Sequence, residues 1–229
     1  MTGNILVTGA TSGLGLALVH ALKSAGYTPI LSGRNAAKTM ALAKAAQVPG
    51  VVLDVADIAQ IPKSCAQIEQ DFGPIYGLVN NAGIWLEGEF GHYSAAEIQA
   101  VINTNTSGTI HMTHALLPGM VERGEGAIIN VVSTGALYCR KMISIYAASK
   151  WAIRGFTGCL EVEYAPKGVR VMGFYPGKIS SDMYKTAGIE RKLDMAMTPE
   201  QGARMLLQML ADKTMLWSHV SGRSIRDYQ

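Results

Sequence analysis

The amino-acid sequence predicts an α/β fold in which a doubly wound parallel sheet is flanked by helices on both faces. Short apolar runs of strand length alternate along the chain with longer segments of helical periodicity, and this alternation is typical of a parallel sheet with helical crossovers. The first apolar run also leads through a glycine-rich turn straight into a helical pattern. Because no repeat, low-complexity segment or boundary interrupts the alternation, we expect one domain over residues 1–229.

Composition excludes several classes of protein. The chain has 229 residues, of which 48% are hydrophobic, and its net charge of +3 is too small to indicate nucleic-acid binding. No apolar run approaches the ~18 residues of a membrane helix, and an apolar strand begins too early to leave room for a signal peptide. Cys65, Cys139 and Cys159 form no CxxC motif, which favours a reducing compartment. We therefore expect a cytoplasmic protein with neither nucleic-acid nor membrane partners.

The first strand, turn and helix indicate a phosphate-binding site. The apolar run Asn4–Thr8 precedes a glycine-rich loop, and a helical pattern follows from Leu16 to a cap at Gly26. A helix N-terminus offers N–H groups and a positive dipole to a pyrophosphate, and glycine removes side chains that would block its approach. The loop lacks the features of a P-loop or a nucleophile elbow, and a glycine-rich turn of an ordinary α/β protein is the alternative. We expect a Rossmann-like fold with cofactor contacts from Gly9, Thr11, Ser12, Gly13, Leu14 and Gly15.

The end of the second strand bears on the choice of cofactor. The strand Thr28–Leu31 is followed closely by Arg34, with no acidic residue at this point. An acid here would accept hydrogen bonds from the ribose of NAD(H), whereas an arginine suits the 2′-phosphate of NADP(H). Arg34 therefore favours NADP(H), with NAD(H) possible. The alternative is a solvated arginine that opens the helix Asn35–Ala46.

The third strand, Val51–Asp54, ends on a carboxylate that has two plausible roles. Asp54 is placed to accept a hydrogen bond from the adenine amino group, and Val55 would offer its main-chain N–H. Asp54 or Asp57 could equally cap the segment that follows, because short polar side chains are common N-caps. The sequence leaves both roles open.

A long helical region, Ser94–Arg123, follows the helix Pro62–Phe72 and the fourth strand Ile75–Val79. Within this region, Asn103–Gly108 is rich in residues with poor helix propensity, which predicts a local interruption that frees a carbonyl for water. The two histidines at 111 and 114 share a helix face but have no third partner nearby, so we expect no metal site.

A serine, a tyrosine and a lysine in the middle of the chain form a candidate catalytic group. The predicted strand Ala127–Val132 ends at Ser133, and a helix beyond it carries Tyr146 and Lys150. These two residues share one face of the helix, one turn apart. Tyr titrates near ~10 and Lys near ~10.4, so a neighbouring ammonium would lower the tyrosine pKa toward a useful range. A surface Tyr and Lys on an ordinary helix is the alternative.

The last quarter of the chain predicts a strand, a lid and a helix. The strand Val169–Tyr175 closes at a Pro-Gly turn, and the methionine-rich residues 178–197 resemble a lid over a substrate cleft, although a connecting helix would fit as well. A helix begins near Pro199 and ends near Ala211. A final strand is predicted at Val220–Ile225.

Together these motifs resemble the compact branch of the short-chain dehydrogenases/reductases over nearly the whole chain. Thr8–Gly15 is similar to the cofactor motif TGxxxGxG, and Asn80–Gly83 to the family's NNAG motif. Asp54 resembles the acid that contacts adenine, and the Pro-Gly turn resembles the one beside the nicotinamide. The resemblance thus implies further cofactor contacts from Asn81, Ala82, Gly83, Pro176, Gly177, Ile179 and Ser181, and a catalytic tetrad of Asn105, Ser133, Tyr146 and Lys150.

The resemblance also implies a reaction, which is hydride transfer between NADP(H) and a carbonyl or secondary alcohol. Tyr146 would be the general acid, Ser133 would orient the reacting oxygen, and Lys150 would bind the cofactor ribose and lower the tyrosine pKa. Asn105 would hold a water that relays protons. The family's usual homodimer or homotetramer would assemble through the helices at 94–123 and 144–165. A non-catalytic dinucleotide-sensing protein is the second hypothesis, and the candidates for substrate contact are Trp85, Tyr138 and Tyr184.

Overall fold

One parallel sheet runs through the part of the chain that this computed structural model describes, which is residues 3–213 and 219–222. Its strands pair in the chain order third, second, first, fourth, fifth, sixth and seventh, and every pair is parallel. This order confirms the predicted doubly wound α/β fold. The strands are β1 (Asn4–Val7), β2 (Thr28–Gly33), β3 (Gly50–Val52), β4 (Ile75–Asn80), β5 (Gly126–Val131), β6 (Val169–Pro176) and β7 (His219–Gly222).

Helices cover both faces of the sheet. Alternate residues of a strand point to opposite faces, and in β1 the side chains of Ile5 and Val7 pack in one apolar cluster while Leu6 packs in the other. The helices are α1 (Gly13–Ser24), α2 (Ala36–Ala46), α3 (Ile61–Phe72), α4 (Ala95–Ile102), α5 (Thr109–Arg123), α6 (Ser144–Tyr164), α7 (Met183–Thr186) and α8 (Pro199–Ala211). The first cluster includes residues of α1 and α8, and the second includes residues of α3 and α5.

The strand order places a crevice at the carboxyl edge of the sheet. Strand β1 has β2 on one side and β4 on the other, so the chain reverses its winding direction at this point. In open α/β sheets, ligands bind in the crevice outside the carboxyl ends of the strands at such a switch point. The loops that follow β1, β2, β4, β5 and β6 therefore surround one site.

Several element boundaries differ from those predicted. Helix α1 begins at Gly13 instead of Leu16, because the glycines of its first turn add no apolar periodicity to the sequence pattern. Strand β3 ends at Val52 instead of Asp54, whose carboxylate accepts a hydrogen bond from the Ala56 N–H at 3.0 Å and so turns the chain locally. Strand β7 ends at Gly222, and positions 223–225 of the predicted strand lie outside the described residues.

The predicted interruption of the long helical region is confirmed. A capping box, in which Ser94 and Glu97 exchange hydrogen bonds, begins α4. A π-helical segment, Asn103–Gly108, then separates α4 from α5. A Cβ added to Gly108 would lie 2.5 Å from the carbonyl oxygen of Val55, so glycine allows this segment to approach the loop after β3 closely.

Candidate active site

The glycine-rich loop after β1 is the floor of the crevice. Gly9 and Gly13 have φ angles of +62° and +51°, which residues with a side chain rarely adopt. A Cβ on Gly9 would lie 2.7 Å from the Cα of Ala82, and a Cβ on Gly13 would lie 2.9 Å from the Cβ of Ser181. The predicted cofactor-binding segments after β1, β4 and β6 therefore meet at one place.

Thr8 fastens the loop after β4 to the loop after β1. Its hydroxyl accepts hydrogen bonds from the N–H groups of Asn81 and Ala82 at 3.0 and 3.1 Å. In return, the Asn81 amide donates to the carbonyl oxygens of Thr8 and Gly9 at 2.9 and 3.1 Å. The sequence predicted Thr8 as the end of a strand and as the first residue of the TGxxxGxG motif, but it predicted no role for the Thr8 hydroxyl.

The N-terminus of α1 can hold an anion. The first N–H groups of an α-helix have no partner within the helix, and here they belong to Gly13, Leu14 and Gly15. Ser12 is the N-cap residue in an extended conformation, and its side chain makes no capping hydrogen bond. The N–H groups and the helix dipole therefore remain available for a phosphate. Thr11 lies beside the end of β2, since a Cβ on Gly33 would be 2.5 Å from its methyl carbon.

Arg34 lies at the rim of the crevice, directly after β2, and its side chain is exposed. Asn35, and not Arg34, caps α2 by accepting a hydrogen bond from the Lys38 N–H at 2.9 Å. None of the ion pairs found among the described residues involves Arg34. Its guanidinium is therefore placed where it could pair with a phosphate at this edge of the sheet.

Asp54 and Val55 follow β3, which is the neighbour of β2 in the sheet. Asp54 is exposed, and one of its carboxylate oxygens is engaged by Ala56. It caps no helix, since α3 begins later, after Gln60. Val55 is buried against the π-helical segment. The local turn made by Asp54 still leaves its second carboxylate oxygen for a ligand.

Ser133, Tyr146 and Lys150 are brought together beside the carboxyl end of β5. Burial raises the pKa of Tyr146, a hydrogen bond with the Ser133 side chain opposes this rise, and Tyr184 adds to it. Burial lowers the pKa of Lys150 to about 8. The Lys150 ammonium donates to the Val131 carbonyl oxygen at 2.9 Å. The pKa of Tyr146 is therefore raised by burial, whereas the sequence predicted that Lys150 would lower it.

Ser133 has an unusual backbone conformation. Its φ and ψ angles are 137° and 153°, a region used almost only by glycine. Its hydroxyl also accepts a hydrogen bond from the Gly135 N–H at 3.0 Å. A Cβ on Gly135 would lie 3.3 Å from the Tyr146 ring. The strained turn thus presents the serine hydroxyl to the tyrosine at close range.

Asn105 connects the loop after β4 to α6. Its side chain accepts a hydrogen bond from the Ile84 N–H at 2.8 Å and donates to the Ile84 carbonyl at 3.0 Å. It also donates to the Ser149 hydroxyl at 3.1 Å, and Ser149 donates to the Tyr146 carbonyl at 2.7 Å. Ser149 was missed by sequence reasoning, because a serine within a helix carries no distinctive signal. The Asn105 carbonyl, which belongs to the π-helical segment, accepts a hydrogen bond from the Thr109 hydroxyl at 3.1 Å.

Two of the three candidate substrate residues, Trp85 and Tyr184, pack in one buried apolar cluster with Tyr146. The Trp85 and Tyr146 rings have centroids 4.3 Å apart, and those of Trp85 and Tyr184 are 4.9 Å apart. Tyr138 is 56% exposed and lies outside this apolar cluster. The aromatic surface around Tyr146 suits a ligand with apolar groups.

The predicted lid, residues 178–197, is a loop whose two ends are joined. The Ser180 N–H donates to the Met197 carbonyl at 2.9 Å, and the Met197 N–H donates to the Lys178 carbonyl at 3.0 Å. Ile179 and Met197 thereby form an isolated parallel β-bridge. Pro176 is the last residue of β6, and the lid begins directly after the next residue, Gly177. The lid contains the short helix α7.

Neither a membrane-spanning helix nor a metal-binding cluster is found among the described residues. None of the described helices is both long and apolar enough to cross a membrane. Across residues 3–213 and 219–222, no group of three or more His, Cys, Asp or Glu side chains could hold a metal ion. The ring of His111 instead contacts the Ser107 carbonyl at 2.9 Å.

Comparison with known proteins identifies related chains. A family model described as short chain dehydrogenase matches residues 3–192. The ketoacyl reductase HetN of Nostoc sp. is 33% identical over 222 residues, which cover 93% of this chain and 77% of the relative. An acetoacetyl-CoA reductase of Shinella zoogloeoides is 37% identical over 183 residues, which cover 79% of this chain and 75% of the relative.

Among solved structures, a variant of the actinorhodin polyketide ketoreductase with NADPH is similar to this chain. The two superpose with a TM-score of 0.89 at 25% sequence identity. The alignment covers 97% of this chain and 96% of the ketoreductase. The likeness therefore extends over the whole sheet and its flanking helices.

Proposed function

The chain belongs to the short-chain dehydrogenase family of oxidoreductases, and from that premise we propose that it transfers hydride between NADP(H) and a carbonyl or secondary alcohol. One observation carries the proposal. Tyr146 is buried beside the Ser133 hydroxyl and the Lys150 ammonium, next to the crevice at the switch point of the sheet. An acid, a hydrogen-bond donor and a cation at this place are what the reduction of a carbonyl requires.

The residues of the crevice fit a dinucleotide. Side chains at Gly9 and Gly13 would fill the floor of the crevice, and the N-terminus of α1 offers N–H groups to a pyrophosphate. Arg34 would pair with the 2′-phosphate of NADP(H), and Asp54 with Val55 would contact adenine. Bound nicotinamide would supply hydride for reduction or accept it for oxidation. Asn81, Ala82, Gly83, Ile179 and Ser181 would complete the cofactor site.

The chain's own residues would manage the proton. In reduction, Tyr146 would donate the proton of its hydroxyl to the carbonyl oxygen as negative charge develops there. The Ser133 hydroxyl would donate a hydrogen bond to the same oxygen. Lys150 would hold the cofactor ribose and keep a positive charge near Tyr146. Asn105 would fix the π-helical segment against α6, and so position the helix that carries Tyr146.

The substrate is proposed to be a moderately hydrophobic carbonyl compound. Support comes from the aromatic rings of Trp85 and Tyr184, which pack around Tyr146. Related reductases act on ketoacyl and acetoacetyl-CoA groups, which also carry a ketone. NAD(H) is the alternative cofactor, and a homodimer or homotetramer in the cytoplasm is the proposed state. Light scattering during gel filtration would measure the oligomer.

Fluorescence titration with NADPH and NADH tests the proposal. Wild type and Tyr146→Phe should both bind NADPH more tightly than NADH, because the phenol hydroxyl is not needed for binding the pyrophosphate. Only wild type should then reduce carbonyl compounds. Tighter binding of NADH would refute the role of Arg34, and failure to bind either cofactor would refute the function as a whole.

A further inference from the structure

Four side chains form a closed ring of contacts above Tyr146, which we name the aromatic latch: Trp85, Glu87, Arg191 and Tyr184. The Trp85 indole donates to a Glu87 oxygen at 2.8 Å. An Arg191 guanidinium nitrogen lies 2.6 Å from both Glu87 oxygens. The same guanidinium lies 5.6 Å from the Trp85 ring centroid and 4.8 Å from that of Tyr184.

The latch joins two separate parts of the crevice wall. Trp85 and Glu87 belong to the loop after β4, whereas Tyr184 and Arg191 belong to the lid. The charged side chains of Arg191 and Glu87 are only 20% and 21% exposed. A sheltered, charge-assisted contact is screened less by salt than a surface pair, and the guanidinium is further attracted to the ring faces. The ion pair and the contacts between the guanidinium and the rings therefore hold the lid on the loop, in addition to the packing of apolar side chains.

The latch covers the catalytic tyrosine. The Trp85 ring lies on the Tyr146 ring, and Tyr146 is 5% exposed. Ile143 and Tyr184 complete the buried cluster around it. In this arrangement the protein's own side chains cover nearly all of Tyr146. A substrate must therefore move these rings before its carbonyl can reach the hydroxyl.

We propose that the Glu87–Arg191 pair is a gate that controls access to Tyr146, so that substrate binds only when the pair has opened. The proposal rests on the proposed function, because it assigns substrate capture to this tyrosine. Binding to a minor open state is weakened in proportion to the fraction that is open. Weakening the pair should raise that fraction. Weakening the pair should therefore lower KM and so raise kcat/KM, while kcat changes little.

The test compares Glu87→Gln and Arg191→Met with two matched controls. Glu87→Gln removes the charge but keeps an oxygen that can accept the Trp85 hydrogen bond. Glu89→Gln and Lys192→Met remove the same charges at exposed neighbouring positions. The gate is observed without substrate by acrylamide quenching of Trp85 fluorescence, in a background carrying Trp151→Phe and Trp217→Phe. Arg191→Lys, which keeps the charge but loses the planar fork, should give intermediate quenching.

Quenching should increase in Glu87→Gln and Arg191→Met and stay unchanged in both controls. With NADPH and 4-nitrobenzaldehyde as the probe carbonyl, kcat/KM should rise about fivefold in the same two variants, in keeping with the coupling of contacting charged groups. Unchanged quenching would overturn the latch. Increased quenching together with a lower kcat/KM would also refute the proposed gate. In that case the pair would help to close the lid over bound substrate and would not limit its entry. Inactivity of wild type would count against the proposed function alone, since quenching does not depend on turnover.

Discussion

The Lys150 ammonium lies 5.9 Å from the centre of the Tyr146 ring, and burial moves the pKa values of the two groups in opposite directions. The tyrosine pKa rises, and the lysine pKa falls to about 8. Lys150 therefore loses its proton at a lower pH than Tyr146. At neutral pH the tyrosine therefore keeps its proton, which the proposed carbonyl reduction would use, and the neighbouring lysine carries positive charge.

Lys150→Met should change how stability depends on pH. Between about pH 8 and 10.5, the unfolded chain keeps the lysine proton while the folded protein has released it, so the stability of wild type rises with pH in this window. The rise is on the order of 3 kcal/mol, since each pH unit corresponds to about 1.4 kcal/mol. Lys150→Met should lack this rise. The free energy of unfolding of the variant, taken relative to that of wild type, should therefore fall between pH 7 and pH 10. Urea unfolding across this range measures the effect. An exposed control, Lys44→Met, should follow wild type, and parallel curves for wild type and Lys150→Met would contradict the buried charge.

Replacing Ser133 by glycine and by alanine separates its strain from its chemistry. Both changes remove the hydroxyl, so both should lower kcat by about 10²-fold or more. Only glycine relieves the backbone at a φ of 137°, and Ser133→Gly should be more stable than Ser133→Ala by about 1 kcal/mol or more. Thermal unfolding and initial rates on the two proteins give the comparison. Equal stabilities would mean that the turn relaxes in one of them.

Arg34→Ala should reduce the preference for NADPH over NADH by about tenfold or more, because a charge-assisted pair with the 2′-phosphate is lost. NADH affinity should change little. Lys44→Ala, which removes an exposed positive charge near the other end of α2, is the control for general electrostatic attraction. Titration of both cofactors at two salt concentrations makes the comparison. If both variants lose the same affinity, Arg34 acts through the overall field and not through a specific contact.

Asn105→Ala should destabilise the protein by about 2–3 kcal/mol, because the N–H and carbonyl of Ile84 both lose their partner. Activity should fall as well, since Ser149 and the start of α6 lose their tie to the π-helical segment. Thr106→Val removes one neighbouring hydrogen bond, to the Ser149 carbonyl, and should cost about 1 kcal/mol. Urea unfolding and kcat would be measured on both. A smaller loss in Asn105→Ala than in Thr106→Val would refute the positioning role.

Much of the fold could be predicted from the sequence because its signals are local. Gly9 and Gly13 mark a turn, and the polar run Asn103–Gly108 marks an interrupted helix, whatever surrounds them. The spacing of Tyr146 and Lys150 likewise predicts a shared helix face. These features depend on backbone preferences and periodicity, which short segments carry by themselves.

The remaining features of the site depend on partners that are distant in the chain. The Arg191–Glu87 pair joins residues 104 positions apart, and neither residue has a motif that names the other. The pKa of Tyr146 is set by burial under Trp85 and Tyr184, which no spacing in the sequence reveals. The sequence left Asp54 two roles, contact with adenine or capping of the next segment, and it did not reveal the local turn that Asp54 makes with the Ala56 N–H.

The parallel strand order also has a kinetic consequence for the way the chain reaches its native state. Every pair of strands in the described residues is parallel, so each pairing needs a long crossover. Asn4 of β1 pairs with Thr28 on one side and with Ile75 on the other. During synthesis β1 therefore emerges first but keeps an open edge until β4 follows. Distant pairings of this kind slow folding, so the main-chain groups along that edge of β1 stay unpaired until β4 has been synthesised.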